Sequence, residues 1–432
     1  MAKIVEVAVI GAGMFGAAAS KYLSREGADV LVIGPGEPVG TGQVSPAAFS
    51  AHFDEARICR RLGWDEVWAA LDARSLERFR DIETESGIAF FRDCGSLVLL
   101  AKSIHHRTTV IVDQCHDEGI PVERLTEPAL RAEFPALGLP RLADGVEGLL
   151  ERTHAGYLNP RKLVAAQLVL TDAAGGRRLR GAVHAISKDR GLWKLQVVHD
   201  DGGIDEITAE KVLIATGALT NETGVLPEGR RLTLRAFTEP NLLFELSDSD
   251  RDRLQTLPPV VTVDPRDVGD ANMSLYMLPP IRYPDGRCYM RIGPGMQPFV
   301  QPLRSAAEMI DWYTAQQITA RQARFLTDAM ETMVPGLRPA SARQACCIIE
   351  KTATRYPYIG HLDDDDDSLT VAVGGNGHGA RGSDEIGRLA ANTVLGKPWD
   401  CPIPENTFTP VITQTSDCST QLDGLKPPFG LC

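Results

Sequence analysis

Residues 5–16, VEVAVIGAGMFG, join a β-rich apolar run to a turn with glycine at positions 11, 13 and 16, and the helical pattern AAASKYLSREG follows directly. A second apolar run, ADVLVIG, begins straight after Gly27. Strand, glycine turn, helix and strand in this order, within about 30 residues, dictate a βαβ unit built around a phosphate. Gly11 permits the tight turn, Gly13 lets backbone N–H groups approach a pyrophosphate at the positive end of the helix, and Gly16 lets helix and strand pack closely. The unit reads as dinucleotide-binding. One expected piece is absent. Where an acid at the end of the second strand would take the ribose hydroxyls stands Gly34, and the nearest carboxylate is Glu37. Either Glu37 reaches back, or backbone and water hold the ribose. Taken alone, the pattern does not choose between FAD and a nicotinamide.

Two further pieces repeat the theme. The run VLIATGAL, ending near Gly217, is apolar on both faces like a parallel-sheet core strand, and it follows two alternating runs with a DDGG turn. Near the end, LTVAVGGNGHGARGSDEIGRLAANTVLG again gives apolar strand, glycine turn (Gly374, Gly375, Gly377, Gly379) and helix. Between these pieces, alternating runs such as SLVLLAK and CYMRIGP suggest a separate antiparallel sheet flanked by helices. At 432 residues the chain is too long for one ordinary core. The expected class is therefore α/β: a Rossmann-like dinucleotide domain with a parallel sheet, interleaved with an α+β substrate domain on an antiparallel or mixed sheet. The expected boundaries put 1–92, 155–230 and 338–432, with a C-terminal tail, in the first domain, and 93–154 and 231–337 in the second.

Composition removes other classes. A net charge of −12 argues against a nucleic-acid binder, which needs a concentrated basic face. No apolar run approaches the roughly 20 residues of a membrane span, and the opening MAKIVEVAVIGAG passes straight into a strand without signal-peptide pattern, so a cytoplasmic protein is expected. Nine cysteines show no C-x-x-C pair and no His/Cys ligand spacing, so reduced thiols and no metal site are expected. The run Asp363 to Asp367 reads as a solvated loop, because consecutive carboxylates repel one another.

Four blocks, in order and spanning nearly the whole length, resemble the FAD-dependent D-amino-acid-oxidase (DAO) superfamily, in its monomeric sarcosine oxidase and N-methyl-amino-acid oxidase branch. They are VAVIGAGMFGAAASKYLSREGADVLVIG; AHFDEARICRR at 51–61; VLIATGALTNE at 212–222; and RQACCIIEKTATRYPYIG leading into GGNGHGARGSDEIG. The resemblance implies FAD, held by Gly11, Gly13, Met14, Phe15, Gly16, Glu37, His52, Arg57, Val183, Gly217, Gly375, Gly377, His378 and Gly379. It further implies a covalent link from the flavin ring to Cys347, leaving Cys346 as core; the alternative is that both thiols are small buried hydrophobes.

By the same resemblance, Arg57 lies by the flavin and Arg60 reaches a substrate carboxylate, for which a planar guanidinium donates two parallel hydrogen bonds. The three-residue spacing of Arg57 and Arg60 puts both on one face if the segment is a helix. Arg381 occupies the place of a lysine that touches the substrate carboxylate, and His378 that of a histidine beside the flavin. Arg291 falls where sarcosine oxidases carry a lysine that helps activate dioxygen; arginine keeps the charge but practically never deprotonates, which leaves dioxygen and an electron carrier both open as oxidant. Tyr276, Tyr356 and Tyr358 are candidate pocket aromatics, Tyr356 first among them. The implied reaction is oxidation of the C–N bond of a small anionic amine, an amino acid or N-alkyl amino acid, by hydride transfer to flavin N5, with the imine hydrolysing afterwards. Two alternatives stay open: oxidation of a 2-hydroxy acid with His378 as base, and a non-catalytic flavin subunit of a complex. A monomer or homodimer is expected.

Overall fold

The computed structural model describes residues 4–37, 49–63, 65–104, 109, 112, 113, 115–142, 144–199, 201–264, 273–295, 299–363 and 365–414. Strand β1 (Val5–Ile10) enters helix α1 (Met14–Arg25), and β2 (Val30–Gly34) follows. β1 pairs in parallel with β2 on one side and with the end of the strand Ile204–Ile214 on the other. The sheet extends in parallel to Arg177–Arg180 beyond β2 and to Asp366–Val373 beyond Ile204–Ile214. Both faces are covered, which is why β1 is apolar throughout rather than alternating. Ala8 and Ile10 enter one core, while Val7 and Val9 enter another beneath α1 and the helix Ser383–Val394. The first half of Ile204–Ile214 leaves the parallel layer to form an antiparallel ribbon with Leu192–Val198, itself paired with Ala182–Asp189.

A second sheet of nine strands stands apart. It contains Ser96–Ala101, Val122–Thr126 and Val146–Glu151 from the first half of the chain, and Leu234–Glu245, Val260–Val263, Leu275–Arg282 and Cys288–Pro294 from the second. All its pairings are antiparallel except Val260–Val263 with Ser96–Ala101. Its core runs from Leu97 through Met277 and Met290 to Cys346, beneath the helix Ala320–Met333.

Three expectations need correction. The strand Ala342–Thr352, expected with the dinucleotide domain from the boundary at 338, pairs instead over its whole length with Leu234–Glu245 of the second sheet. Arg57 lies not on a helix but in the strand Arg57–Cys59, which joins Gly156–Leu158 and Phe91–Asp93 in a three-stranded sheet. Asp363 and Asp366 are not both loop residues: one ends a strand and the next strand begins at the other, and they pair with Arg230 and Lys188. The expected C-terminal tail lies outside the described residues beyond 414.

Candidate active site

The glycine turn after β1 is built by close approach. Gly11 has φ +110°, and a Cβ there would collide with the Ala215 carbonyl of the neighbouring strand; a Cβ at Gly16 would collide with the Gly11 carbonyl. At Gly13, the N-cap of α1, no side chain caps the helix, and its first turn holds no acidic residue. Its N–H groups therefore face a cavity of ≈ 550 Å³, the arrangement that suits a pyrophosphate. Met14, Phe15, Val183 and Gly217 wall the same cavity, and so do Gly375, Gly377 and Gly379 of the second glycine turn. Gly34 explains the missing acid: a Cβ there would lie 2.6 Å from Ala12 Cβ, so no side chain fits. Glu37 does reach the cavity wall, held by Arg161 Nε at 2.8 and 2.9 Å.

Glu350, which the sequence reading passed over, braces the second turn. Its Oε1 accepts hydrogen bonds from the Gly374 and Gly375 amides at 2.8 and 2.9 Å, while its buried Oε2 has no hydrogen-bond partner among the described residues. An orphaned acceptor on the wall of this cavity fits the hydroxyl or N–H donors of a flavin nucleotide. Lys351, also passed over, donates to the Asn376 carbonyl of the same turn. The signal for both was present, since two charges interrupt an otherwise apolar strand in CCIIEKT.

The cavity wall is rich in cations. Arg57, Arg60, Arg291 and Arg381 all line it. Arg57 donates to Asp54 and lies 4.0 Å from the Cys347 sulfur, which also faces the cavity. Arg291, 4% exposed, forms an ion pair with the same Asp54, which also accepts a hydrogen bond from the Tyr283 hydroxyl at 3.0 Å. Burial pushes the Arg291 guanidinium down from its ordinary value. Arg381 pairs with Asp72, and Arg60 donates to the Leu62 carbonyl. Burial raises the Asp72 carboxyl to about 7, with Arg381 and Arg60 drawing it back. Cys346, next to Cys347, is buried in the second-sheet core.

Two histidines line the cavity as neutral groups. His52, 2.6 Å from the Ser50 hydroxyl, is pushed down to about 3 by burial and by Arg161 and Arg57. His378, packed against Trp68, is held well below its usual range by burial first and then by Arg381, Lys351 and Arg60. The tyrosines separate. Tyr276 lines the cavity; Tyr358 is buried with its hydroxyl on the Thr233 carbonyl; and Tyr356 donates to Asp65 at 2.6 Å and is not among the described residues of the cavity wall. The expected pocket role of Tyr356 has no place in this geometry, because its hydroxyl is used at the N-cap of the helix Glu66–Ser86. Glu239, another residue passed over, also faces the cavity and is 7% exposed.

A βαβ phosphate cradle and a second glycine turn, closing on one chamber with guanidinium groups on its wall, define a dinucleotide-dependent oxidoreductase. Residues 6–393 match the DAO family, described as FAD dependent oxidoreductase, and the chain belongs to that family. It is 21% identical over 394 residues to the monomeric sarcosine oxidase of Bacillus sp. (strain B-0618), covering 90% of this chain and 92% of that one. Over 219 residues it is 26% identical to the N-methyl-L-tryptophan oxidase of Yersinia pestis (strain Pestoides F), covering 50% of this chain and 54% of that one. Among solved structures, NikD, an unusual amino acid oxidase essential for nikkomycin biosynthesis, superposes with TM-score 0.73 at 19% identity, covering 95% of this chain and 98% of that one. Glycine oxidase from Geobacillus kaustophilus gives 0.69 at 18%, covering 94% and 98%. The last two likenesses are likenesses of fold. The cofactor is FAD, and the residues of the cradle fit it. Among the described residues, no helix is long and apolar enough to cross a membrane.

Proposed function

We propose that the enzyme oxidises the C–N bond of a small carboxylate-bearing amine, an amino acid or N-alkyl amino acid, to an imine. The observation that carries this reading is the sharing of one carboxylate, Asp54, by two cavity-lining guanidiniums, Arg57 and Arg291. Two cations on one anion leave that part of the chamber positive, and an anionic ligand completes the balance. The relatives named sarcosine oxidase, N-methyl-L-tryptophan oxidase and glycine oxidase point to the same substrate class.

When bound, FAD supplies a two-electron acceptor for the hydride of the substrate α-carbon, and dioxygen or an electron carrier takes the electrons onward. The chain supplies the rest. Arg57 and Arg291 hold the carboxylate, and Arg60 and Arg381 line the same chamber. Leu275, Ile348 and Ile349 on the wall keep water from the reacting carbon. A 2-hydroxy acid would need a base for its hydroxyl proton, and His378, held far below its usual range, is a weak one.

The test is anaerobic mixing of the oxidised holoenzyme with glycine, sarcosine, L-proline and N-methyl-L-tryptophan, and with lactate and glycolate as controls, following the flavin absorbance. Bleaching by at least one amino acid and by neither hydroxy acid supports the reading; the reverse pattern defeats it. Peroxide formation in air, against reduction of an artificial dye, then separates the two oxidants.

A further inference from the structure

Three described carboxylates wall the cavity: Glu37, Glu239 and Glu350. Arg161 holds the first and two glycine amides hold the third. No ion pair or backbone N–H holds Glu239 among the described residues; its polar neighbour is the Tyr276 hydroxyl. That hydroxyl gives its single proton to Asn241 Oδ1, and the Asn241 amide is fixed in turn by donating to the Glu239 carbonyl at 2.9 Å. The Tyr276 oxygen accepts from Arg291 Nη2 at 3.5 Å, and the hydroxyl lies beside the Glu239 carboxyl, whose charged form it favours.

Glu239 is also placed for a substrate. It stands directly opposite Cys347 in the antiparallel pairing of Leu234–Glu245 with Ala342–Thr352, so their side chains share one face as close neighbours. Arg57 lies 4.0 Å from the same sulfur, and its charge acts on Glu239. A carboxyl and a guanidinium that both neighbour one cysteine on the cavity wall suit the two ends of an amino-acid zwitterion.

We propose that Glu239 binds the ammonium nitrogen of the substrate and takes its proton, with the carboxylate of the same molecule at Arg57 and Arg291. This rests on the amine reading above and extends it to a substrate that enters as a zwitterion. The step needs Glu239 in its carboxylate form, which takes over as pH rises through about 8: one N–H bond of the ammonium breaks and an O–H bond forms on that carboxylate. The nitrogen regains the lone pair it needs to expel hydride from the α-carbon, and the proton later leaves Glu239 for solvent. Burial raises the Glu239 carboxyl to about 8, with Tyr276, Lys351 and Arg57 pulling it down, so its affinity for a proton approaches that of an amine. Tyr276, Lys351, Arg57, Arg291 and Cys347 are the titratable groups around it, and only the arginines and the lysine carry positive charge.

The experiment compares wild-type holoenzyme with Glu239→Gln and Glu239→Asp. The amino acid from the panel that bleaches the flavin is mixed anaerobically across pH, and the bleaching rate is recorded. Separately, methoxyacetate, which has the shape and carboxylate of sarcosine without its ammonium, is titrated as a perturbation of the flavin band. The expected result for Glu239→Gln is a rate at pH 7 lower by roughly tenfold or more, an acid limb moved toward the more alkaline value of the free ammonium, and methoxyacetate affinity within about twofold of wild type. Glu239→Asp restores part of the rate and returns the limb toward its original position. An unchanged pH profile in Glu239→Gln overturns the proposal, and so does a loss of methoxyacetate binding as large as the loss in rate. If every amino acid leaves the wild-type flavin oxidised while methoxyacetate still binds, the amine reading itself fails and takes this inference with it.

Discussion

A carboxyl as deeply buried as Glu239 keeps its proton up to about pH 8 in the folded chain, whereas in the unfolded chain it loses it near the ordinary glutamate value of about 4.3. Its folded-state value is raised, so the stability linked to it is fully present below about pH 4.3 and is lost as pH climbs through 8. Glu239→Gln removes that dependence. Denaturant unfolding of the apoprotein should therefore show the wild type losing more stability than the variant between pH 5 and 8, by a few kcal/mol at most. A variant curve parallel to wild type would mean that Glu239 titrates normally. A second residue-scale prediction concerns Cys347, whose sulfur faces the cavity. If it anchors the flavin, acid-precipitated wild-type protein stays yellow and Cys347→Ser releases its flavin to the supernatant; a yellow supernatant from wild type removes the anchor. Glu239 was hard to read in advance because RAFTEPNLLFE looks like an edge strand with a proline. Only the fold shows that Glu239 is turned toward a chamber.

At the scale of elements, α1 and the helix Ser383–Val394 pack closely. A Cβ on Gly387 would lie 2.4 Å from Ala18 Cβ and 2.6 Å from the Ala19 nitrogen, so this crossing admits no side chain. Gly387→Val should cost about 1–3 kcal/mol by overpacking, measured by chemical denaturation, and should weaken FAD binding by shifting the start of α1. The glycine turns were legible from sequence because each needs one residue type for a backbone reason. Arg57–Cys59 was not. Three residues are too few to display a period, and the spacing of Arg57 and Arg60 fits a helix equally well until Gly156–Leu158 arrives from a hundred residues away. The strand Ala342–Thr352 was misassigned on similar grounds. Its alternating burial suits either sheet, and its choice rests on a distant partner, Leu234–Glu245.

Across the molecule, Asp384 ties together helices from distant parts of the chain. It accepts hydrogen bonds from Lys21 at 2.7 Å, Tyr22 at 2.8 Å, Arg78 at 2.6 Å and Gln167 at 2.8 Å, and it is fully buried. Burial alone would raise its carboxyl, but Lys21 and Arg78 outweigh that and hold it well below the usual range. Stability from this group is present above its unfolded value and is lost as pH falls through the lower folded one. Asp384→Ala strands Lys21 in the interior and should cost about 3–5 kcal/mol, seen as a lower denaturation midpoint at pH 7; a loss under 1 kcal/mol would contradict the hub.

The strand Ala342–Thr352 belongs by pairing to one sheet, yet through Glu350 and Lys351 it props up the glycine turn of the other. Cofactor retention and the shaping of the substrate chamber are therefore not separable by dissection. Fragments split anywhere between the two sheets, however well each folds, should come off a column colourless.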